Sequence, residues 1–228
     1  MKEIIAFLNE LRQNNNREWF VAHKDEYLKC QAKFNAMTEQ LILKISAFDP
    51  SVAGLTVKDC TYRIYRDVRF SNDKSPYKCH FGAYVCRGGK KSGYAGYYFH
   101  IGVGGEGYPY SHMLAVGDYR YNPEALKILR EDICYGKGDF DKIIKNDISP
   151  LFHLEEDDKL TRVPKGFPQD SPYADYLKLK TYGLCYEPST DFMLADDVLD
   201  KAVELFQTTY PFVQYVNRAI EYSKEVAF

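Results

Sequence analysis

The stretch RIYRDVRFSNDKSPYK, residues 63–78, carries five basic side chains, Arg63, Arg66, Arg69, Lys74 and Lys78, against two acids, Asp67 and Asp73. The chain as a whole is slightly acidic, with formal net charge −2. A local surplus of positive charge inside an acidic chain needs a physical reason. The planar guanidinium fork grips carboxylate or phosphate through two parallel hydrogen bonds, and an ammonium adds a compact point charge. A web of ion pairs tends towards charge balance, whereas a site that holds an anion must keep an excess of cations. The pattern therefore predicts an anion site built from Arg63, Arg66, Arg69, Lys74 and Lys78, with Asp67 and Asp73 orienting the cations. Arg162 and Lys165 are further cations able to join it. The competing reading is structural: Arg66–Asp67–Arg69 and Asp73–Lys74 could be salt bridges pinning a solvated loop.

Other residues with chemical potential are sparse. The five histidines show no H-x-x-x-H or H-E-x-x-H spacing, and the six cysteines include no C-x-x-C pair. No metal site and no cofactor is signalled. Asp67, Asp73 and His80 are near one another in sequence, but the adjacent arginines would repel a cation. His100 lies in a strand-like run on the same face as Tyr98 and is expected to be a hydrogen-bonded sheet histidine. With Tyr77 and Tyr98 it forms the accessory set, and His100 is an acid or base candidate if that face meets the basic loop. GVGGEG, residues 102–107, satisfies G-x-G-x-x-G formally. Tyr108-Pro109 follows instead of a helix start, so it reads as a glycine-rich turn and not as a dinucleotide fingerprint. Trp19, beside Arg17 and Phe20, is expected to be a packing anchor.

The elements that must position these groups follow from periodicity. Ile4, Phe7, Leu8 and Leu11 have helical spacing. Asn15 and Glu18 have the spacing of a capping box, which predicts one long helix to about Ala47, with Phe20, Tyr27, Phe34 and Leu41 on a buried stripe completed by Cys30, Met37 and Ile45. From residue 60 the period changes to two. TYRIYR, HFGAYVCR, YAGYYFHIGV and SHMLAV read as strands, close enough in sequence to pair antiparallel. In the first of these, alternation puts Arg63 and Tyr65 on one face and Tyr62, Ile64 and Arg66 on the other. Asn72-Asp73 and Ser75-Pro76 are turn formers that fold the loop back. Asn122-Pro123 opens a helix to about Cys134, a short helix is expected over 140–145, and another near Pro172. TYGLCYEP reads as one more strand, and helices at about 195–208 and 210–225 close the chain.

Strands and helices do not alternate regularly, so the expected class is α+β: a single domain with a mainly antiparallel sheet, flanked by a long N-terminal helix and C-terminal helices. The organisation is helical over 1–48, a Tyr-rich sheet over 60–118, and mixed helix, loop and strand over 119–228. With 228 residues, 45% of them apolar and 27% charged, the composition is that of a soluble globular protein. The 20 tyrosines fit sheets or a groove with half-polar walls. The opening MKEIIAFLNELRQ has only short apolar runs, so neither a leader nor a membrane anchor is expected, and the reading is a reduced, cytoplasmic protein.

Several motifs together resemble a known family. R-I-x-R-D-x-R-F-S-x-D-K-x-P-Y-K is similar to the signature of a widespread family of conserved proteins, domain of unknown function 2461. Asn15 to Phe20 resembles its opening motif, Gly96 to His100 its Tyr-rich strand, and Lys159 to Phe167 with Asp170, Pro172 and Leu177 to Lys180 its late motif. Two departures stand out. AVGDYRYNP has one Gly where a Gly-rich run is expected, and Asp170-Ser171-Pro172 stands in place of Asp-His-Pro, so no histidine there is an obligate catalyst. The resemblance implies a single-domain fold and supplies no assigned catalytic residues to carry over.

Three functions are compatible with these residues. The first is a pocket for a phosphorylated or carboxylated small molecule, with or without chemistry on it. The second is a single-stranded nucleic-acid module in which Tyr rings stack on bases, a reading that the net negative charge disfavours. The third is a structural or protein-interaction domain without a ligand. A concave basic pocket would favour the first and an open groove lined by exposed aromatics the second. Arginines paired with acids would favour the third.

Overall fold

The computed structural model describes residues 1–118 and 121–226; Tyr119 and Arg120, within AVGDYRYNP, lie outside it. Helix α1 (Lys2–Gln13) buries Ile4, Phe7, Leu8 and Leu11, the stripe expected from their spacing. Two expectations about the next helix are corrected. The cap is Asn16, whose side-chain oxygen accepts from the Trp19 N–H at 2.9 Å, and not Asn15. The helix is also in two pieces, α2 (Arg17–Ala22) and α3 (Lys24–Ser46). It breaks at His23, where the backbone N–H and Nδ1 both donate to the Trp19 carbonyl while the imidazole stacks on the indole at 4.0 Å. Trp19 is thereby a packing residue, also meeting Phe7. The stripe survives the break: Phe20, Tyr27, Cys30, Phe34, Leu41 and Ile45 are buried, and Met37 is partly so.

A 3₁₀ turn (Pro50–Val52) and α4 (Val57–Cys60) follow. Asp59 accepts from the Thr56 N–H at 2.9 Å and starts α4 where a strand was expected to begin. The expected strand TYRIYR is not one. Only two isolated bridges form, Thr61 with Ala83 and Tyr65 with Tyr77. The backbone of this segment bonds to its own returning limb, Arg66 N–H to Pro76 O at 2.9 Å and Lys78 N–H to Ile64 O at 2.8 Å. Of the expected faces only Ile64 is buried, while Tyr62 and Tyr65 stay exposed. Charged and aromatic side chains on both faces leave nothing for a sheet to bury, so the segment becomes the stem of a loop.

The sheet is formed by β1 (His80–Cys86), β2 (Gly96–Gly102), β3 (Met113–Asp118), β4 (His153–Leu154) and β5 (Tyr182–Tyr186), in the order β1-β2-β3-β5-β4 with every pair antiparallel. Between β3 and β4 lie α5 (Pro123–Tyr135), capped by the Asn122 side chain on the Ala125 N–H at 2.6 Å, and α6 (Asp139–Lys142), which runs into a π-helical turn (Ile143–Asp147). After β4 come α7 (Ala174–Leu177), β5, α8 (Thr190–Leu194), α9 (Val198–Thr208) and α10 (Tyr210–Glu225). The two-residue β4 and the four-residue α4 were not expected; elements so short carry no readable period.

Register decides which side chains share a face. Phe81 pairs with Ile101, Ala83 with Phe99, and Val85 with Tyr97. These join Leu114, Val116 and Leu184 in one continuous core with α1, α3, α9 and α10, reaching from Ile4 to Ile220. The other face is more polar, with His80, His100, Tyr84 and Tyr98 beside Met113, Ala115 and Cys185. The chain is thus an α+β domain, an antiparallel sheet with helices packed on its apolar face. All six cysteines are free thiols. No helix among the described residues is long and apolar enough to cross a membrane.

Candidate functional site

The returning limb of the basic loop enters β1 through Tyr77, and Asn15 holds it there. Asn15 Nδ2 donates to Tyr77 O at 2.9 Å, and the Tyr77 N–H donates back to Asn15 Oδ1 at 3.1 Å. The side-chain amide thus imitates a neighbouring strand. The Tyr77 ring is buried and stacks on Phe20 at 3.9 Å. Asn15 Nδ2 also meets Cys79 Sγ at 3.3 Å. So anchored, Lys78, Cys79 and His80 emerge at one end of the sheet beside the last turn of α1.

A cleft of about 710 Å³ opens there, lined by Arg12, Asn15, Arg66, Lys78, His80 and the Tyr108–Tyr110 segment among others. Arg12 comes from the last turn of α1. Its guanidinium lies against Gly104, where a Cβ would stand 2.3 Å from Arg12 Nε. Gly104 has φ +112, so this position excludes a side chain on both counts.

The five predicted cations do not act as one group. Arg66 pairs with Asp73, and Arg69 grips Asp67 through Nε at 2.9 Å and Nη2 at 2.6 Å. Asp73 also accepts from Ser75, by the N–H at 2.9 Å and the hydroxyl at 2.6 Å; these bonds and Arg66 hold its carboxyl far below the usual range. Hydrogen bonds from Arg69 likewise lower Asp67. Lys74 is spent on the Val68 carbonyl at 3.0 Å. Arg66, Lys78, Asp67, Asp73 and Tyr77 line the cleft, whereas Arg63, Arg69 and Lys74 do not. Arg162 and Lys165 are exposed and lie outside it.

Lys78 is different. It is half-buried, its ammonium sits 5.5 Å from the centre of the Tyr62 ring, and among the described residues no carboxylate pairs with it. Burial pushes its pKa down, and Arg63 and Arg66 push it further the same way. Arg12 likewise has no acid partner among the described residues. A partly desolvated ammonium among other cations is a place where an anion is favoured.

His100 is fully buried and bonded through both nitrogens. The Pro109 carbonyl can only accept, so His100 Nε2 carries the proton, donating at 3.1 Å, and Nδ1 accepts from the Tyr98 hydroxyl at 2.7 Å. Burial lowers its pKa to about 4. The residue braces the 103–112 loop against β2 and does not reach the cleft, and Tyr98 does not either. His80 does, packed 4.6 Å from His100. Burial, with His100, Lys78 and Arg66, lowers its pKa to about 3, so both rings are neutral at pH 7. Burial raises the Cys79 thiol, which stays protonated.

These two histidines set an acid sensitivity. Their folded pKa values lie below the ordinary value of 6.5, so between about 3 and 6.5 the unfolded chain binds protons that the folded one does not. Stability is complete above 6.5 and falls as pH drops through this window. Denaturant melts at pH 7 and pH 5 should differ by up to about 2 kcal/mol for each ring. His80→Gln should flatten its share of the slope; an unchanged slope would show that His80 is not held neutral by the fold.

Arg12, Cys79 and Tyr108–Tyr110 had no visible signal in the sequence as site residues, and Asn15 had the wrong one. Arg12 looks like any solvated helix residue, and only the approach of the 103–112 loop brings it to the cleft. His80, two positions past the basic run, was the one residue that proximity alone pointed to. Of the Tyr-rich run, Tyr97 is buried against Phe48 and Phe206, Tyr94 sits under Arg87 and Lys224, and Tyr98 is part-buried with its hydroxyl on His100. No group of His, Cys, Asp and Glu among the described residues could hold a metal ion.

No curated protein and no solved structure matches the chain. The model of the family described as conserved hypothetical protein (DUF2461) matches residues 3–215, and the chain belongs to that family.

Proposed function

We propose that this cleft binds a small phosphorylated or carboxylated molecule, held by Lys78 and Arg12 with Arg66 beside them. The observation that carries this reading is the shortage of counter-charge: Lys78 and Arg12 wall one cleft, and no carboxylate among the described residues pairs with either. The two acids in that wall, Asp67 and Asp73, are occupied by Arg69, Arg66 and Ser75. Binding is better supported than catalysis, because the cleft's thiol is protonated and its histidine is a weak base. The six free thiols fit a reducing, cytoplasmic setting.

A thermal-shift panel of inorganic phosphate, pyrophosphate, citrate, sugar phosphates and short oligonucleotides tests it. A ligand at a hundredfold excess over its Kd adds about 2.7 kcal/mol, a rise of roughly 5–10 °C for a chain of this size. Small anions are expected to give such a shift, weakening with added salt. If no anion stabilises the protein at any concentration, the reading is wrong.

One observation favours the nucleic-acid reading as second choice. Exposed rings flank the cations, Tyr108 and Tyr110 on the cleft wall and Phe70, 97% exposed, on the loop. Stacked bases would use such surfaces. Oligonucleotides shifting the melt at far lower concentration than sugar phosphates would select it.

A further inference from the structure

The cleft does not end at Gly104 and Tyr110. Both residues also wall a second cleft of about 430 Å³, to which Ile5, Asn9, Glu106, His112 and Glu187 contribute. Helix α1 runs along both. Ile5 and Asn9 face the second and Arg12 the first, a spacing of four and then three residues that stays on one helical face. From Ile5 to Arg12 the helix axis advances about 10 Å. The two clefts adjoin at Gly104 and Tyr110, and the Arg12 side chain lies against Gly104 where they meet.

Charge reverses from one cleft to the other. The first presents Arg12 and Lys78 without acid partners among the described residues, beside Arg66 paired with Asp73 and Asp67 paired with Arg69. The second presents Glu106 and Glu187, with no Lys or Arg in its walls and no ion pair to either glutamate among the described residues. The same wall contains two buried polar atoms without hydrogen-bond partners, Ser111 Oγ and His112 Nδ1. His112 is only 7% exposed, and its other nitrogen meets Thr190 Oγ1 at 3.4 Å. Buried polar groups are nearly always satisfied, so this wall has the most to gain from a polar ligand.

We infer that the two clefts together take a small zwitterion lying along α1, its phosphate or carboxylate on Lys78 and Arg12 and its ammonium between Glu106 and Glu187. The inference rests on the anion-binding reading of the first cleft and adds the identity of the ligand's other end. Opposite charges at the two ends also fix the ligand's direction, since reversal brings like charges together at both.

Titration calorimetry with ω-aminoalkyl phosphates of increasing chain length, each beside the plain alkyl phosphate of equal length, tests this. At the length that spans both clefts the aminated member should bind roughly tenfold tighter. In the double variant E106Q/E187Q that advantage should vanish, and in Lys78→Met both series should bind at least thirtyfold more weakly. Equal affinities at every length would overturn the zwitterion while leaving the anion site standing. An advantage that persists in E106Q/E187Q would overturn it too, since the amine would then sit elsewhere. Failure of plain alkyl phosphates to bind the unaltered protein would remove the anion site itself, and the zwitterion with it.

Discussion

Gly102→Ala should cost about 3 kcal/mol of stability and remove anion binding in the same step. Gly102 ends β2 opposite His80. An added Cβ would lie 2.4 Å from Ser111 O, 2.6 Å from Pro109 O and 2.9 Å from His100 Nε2. Two of these neighbours are backbone carbonyls, which cannot swing aside as a side-chain tip does. The 103–112 loop must retreat, and the Pro109 carbonyl then leaves His100, stranding a buried N–H. Tyr108, Pro109 and Tyr110 form a wall of the cleft, so its shape goes with the loop. The measurement is a denaturant melt together with the phosphate-induced thermal shift. Gly105→Ala is the control: its Cβ would meet only Tyr110 Cβ, at an ordinary 3.6 Å, and stability should change by under ~0.5 kcal/mol. Equal losses at the two positions would mean that close packing at Gly102 is not what matters.

The second large effect is expected at Lys78, and its two consequences have opposite signs. Lys78→Met keeps an unbranched stem near the Tyr62 ring and deletes the charge. Anion affinity should fall at least thirtyfold, on the order of 2 kcal/mol, as when one partner of a partly buried charge pair is truncated. Without ligand, the variant should be more stable by a few tenths of a kcal/mol after allowance for solvent screening, because burial and the neighbouring Arg63 and Arg66 already disfavour that charge. Gain of stability with loss of binding is the usual mark of a strained functional group. Lys74→Met makes the contrast: Lys74 is bonded to Val68 O and lies off the cleft, so the anion shift should remain. A full phosphate response in Lys78→Met, or its loss in Lys74→Met, would show the cation set to be wrongly assigned.

Much of the scaffold could be read from spacing. The α1 stripe, the seven-residue recurrence in α3, the strands β1, β2, β3 and β5, and the Asn122-Pro123 helix start all follow from local periodicity and capping chemistry. The failures share a cause. Asn15 has the residue type and spacing of a cap, but its amide is taken by the backbone of Tyr77, sixty-two positions away. The TYRIYR alternation is real, yet beyond the single bridge from Thr61 to Ala83 its backbone partners lie on its own returning limb, Pro76, Tyr77 and Lys78. His23 breaks a helix whose hydrophobic stripe continues through it. In each case a long-range or side-chain hydrogen bond overrides a pattern that local propensity alone would continue.

The residues themselves determined the α+β class, the family to which the chain belongs and the clustering of cations at 63–78, because each depends on composition and order along the chain. Which cations remain unpaired was decided only in three dimensions. Pairing falls off within a few ångströms, so Asp67 and Asp73 chose Arg69 and Arg66 by loop geometry. Arg12, distant in sequence, came to wall the same cleft as Lys78 only in the fold, where its side chain meets Gly104. A sum of charges over sixteen positions can show that an excess exists; the distances between folded side chains place it.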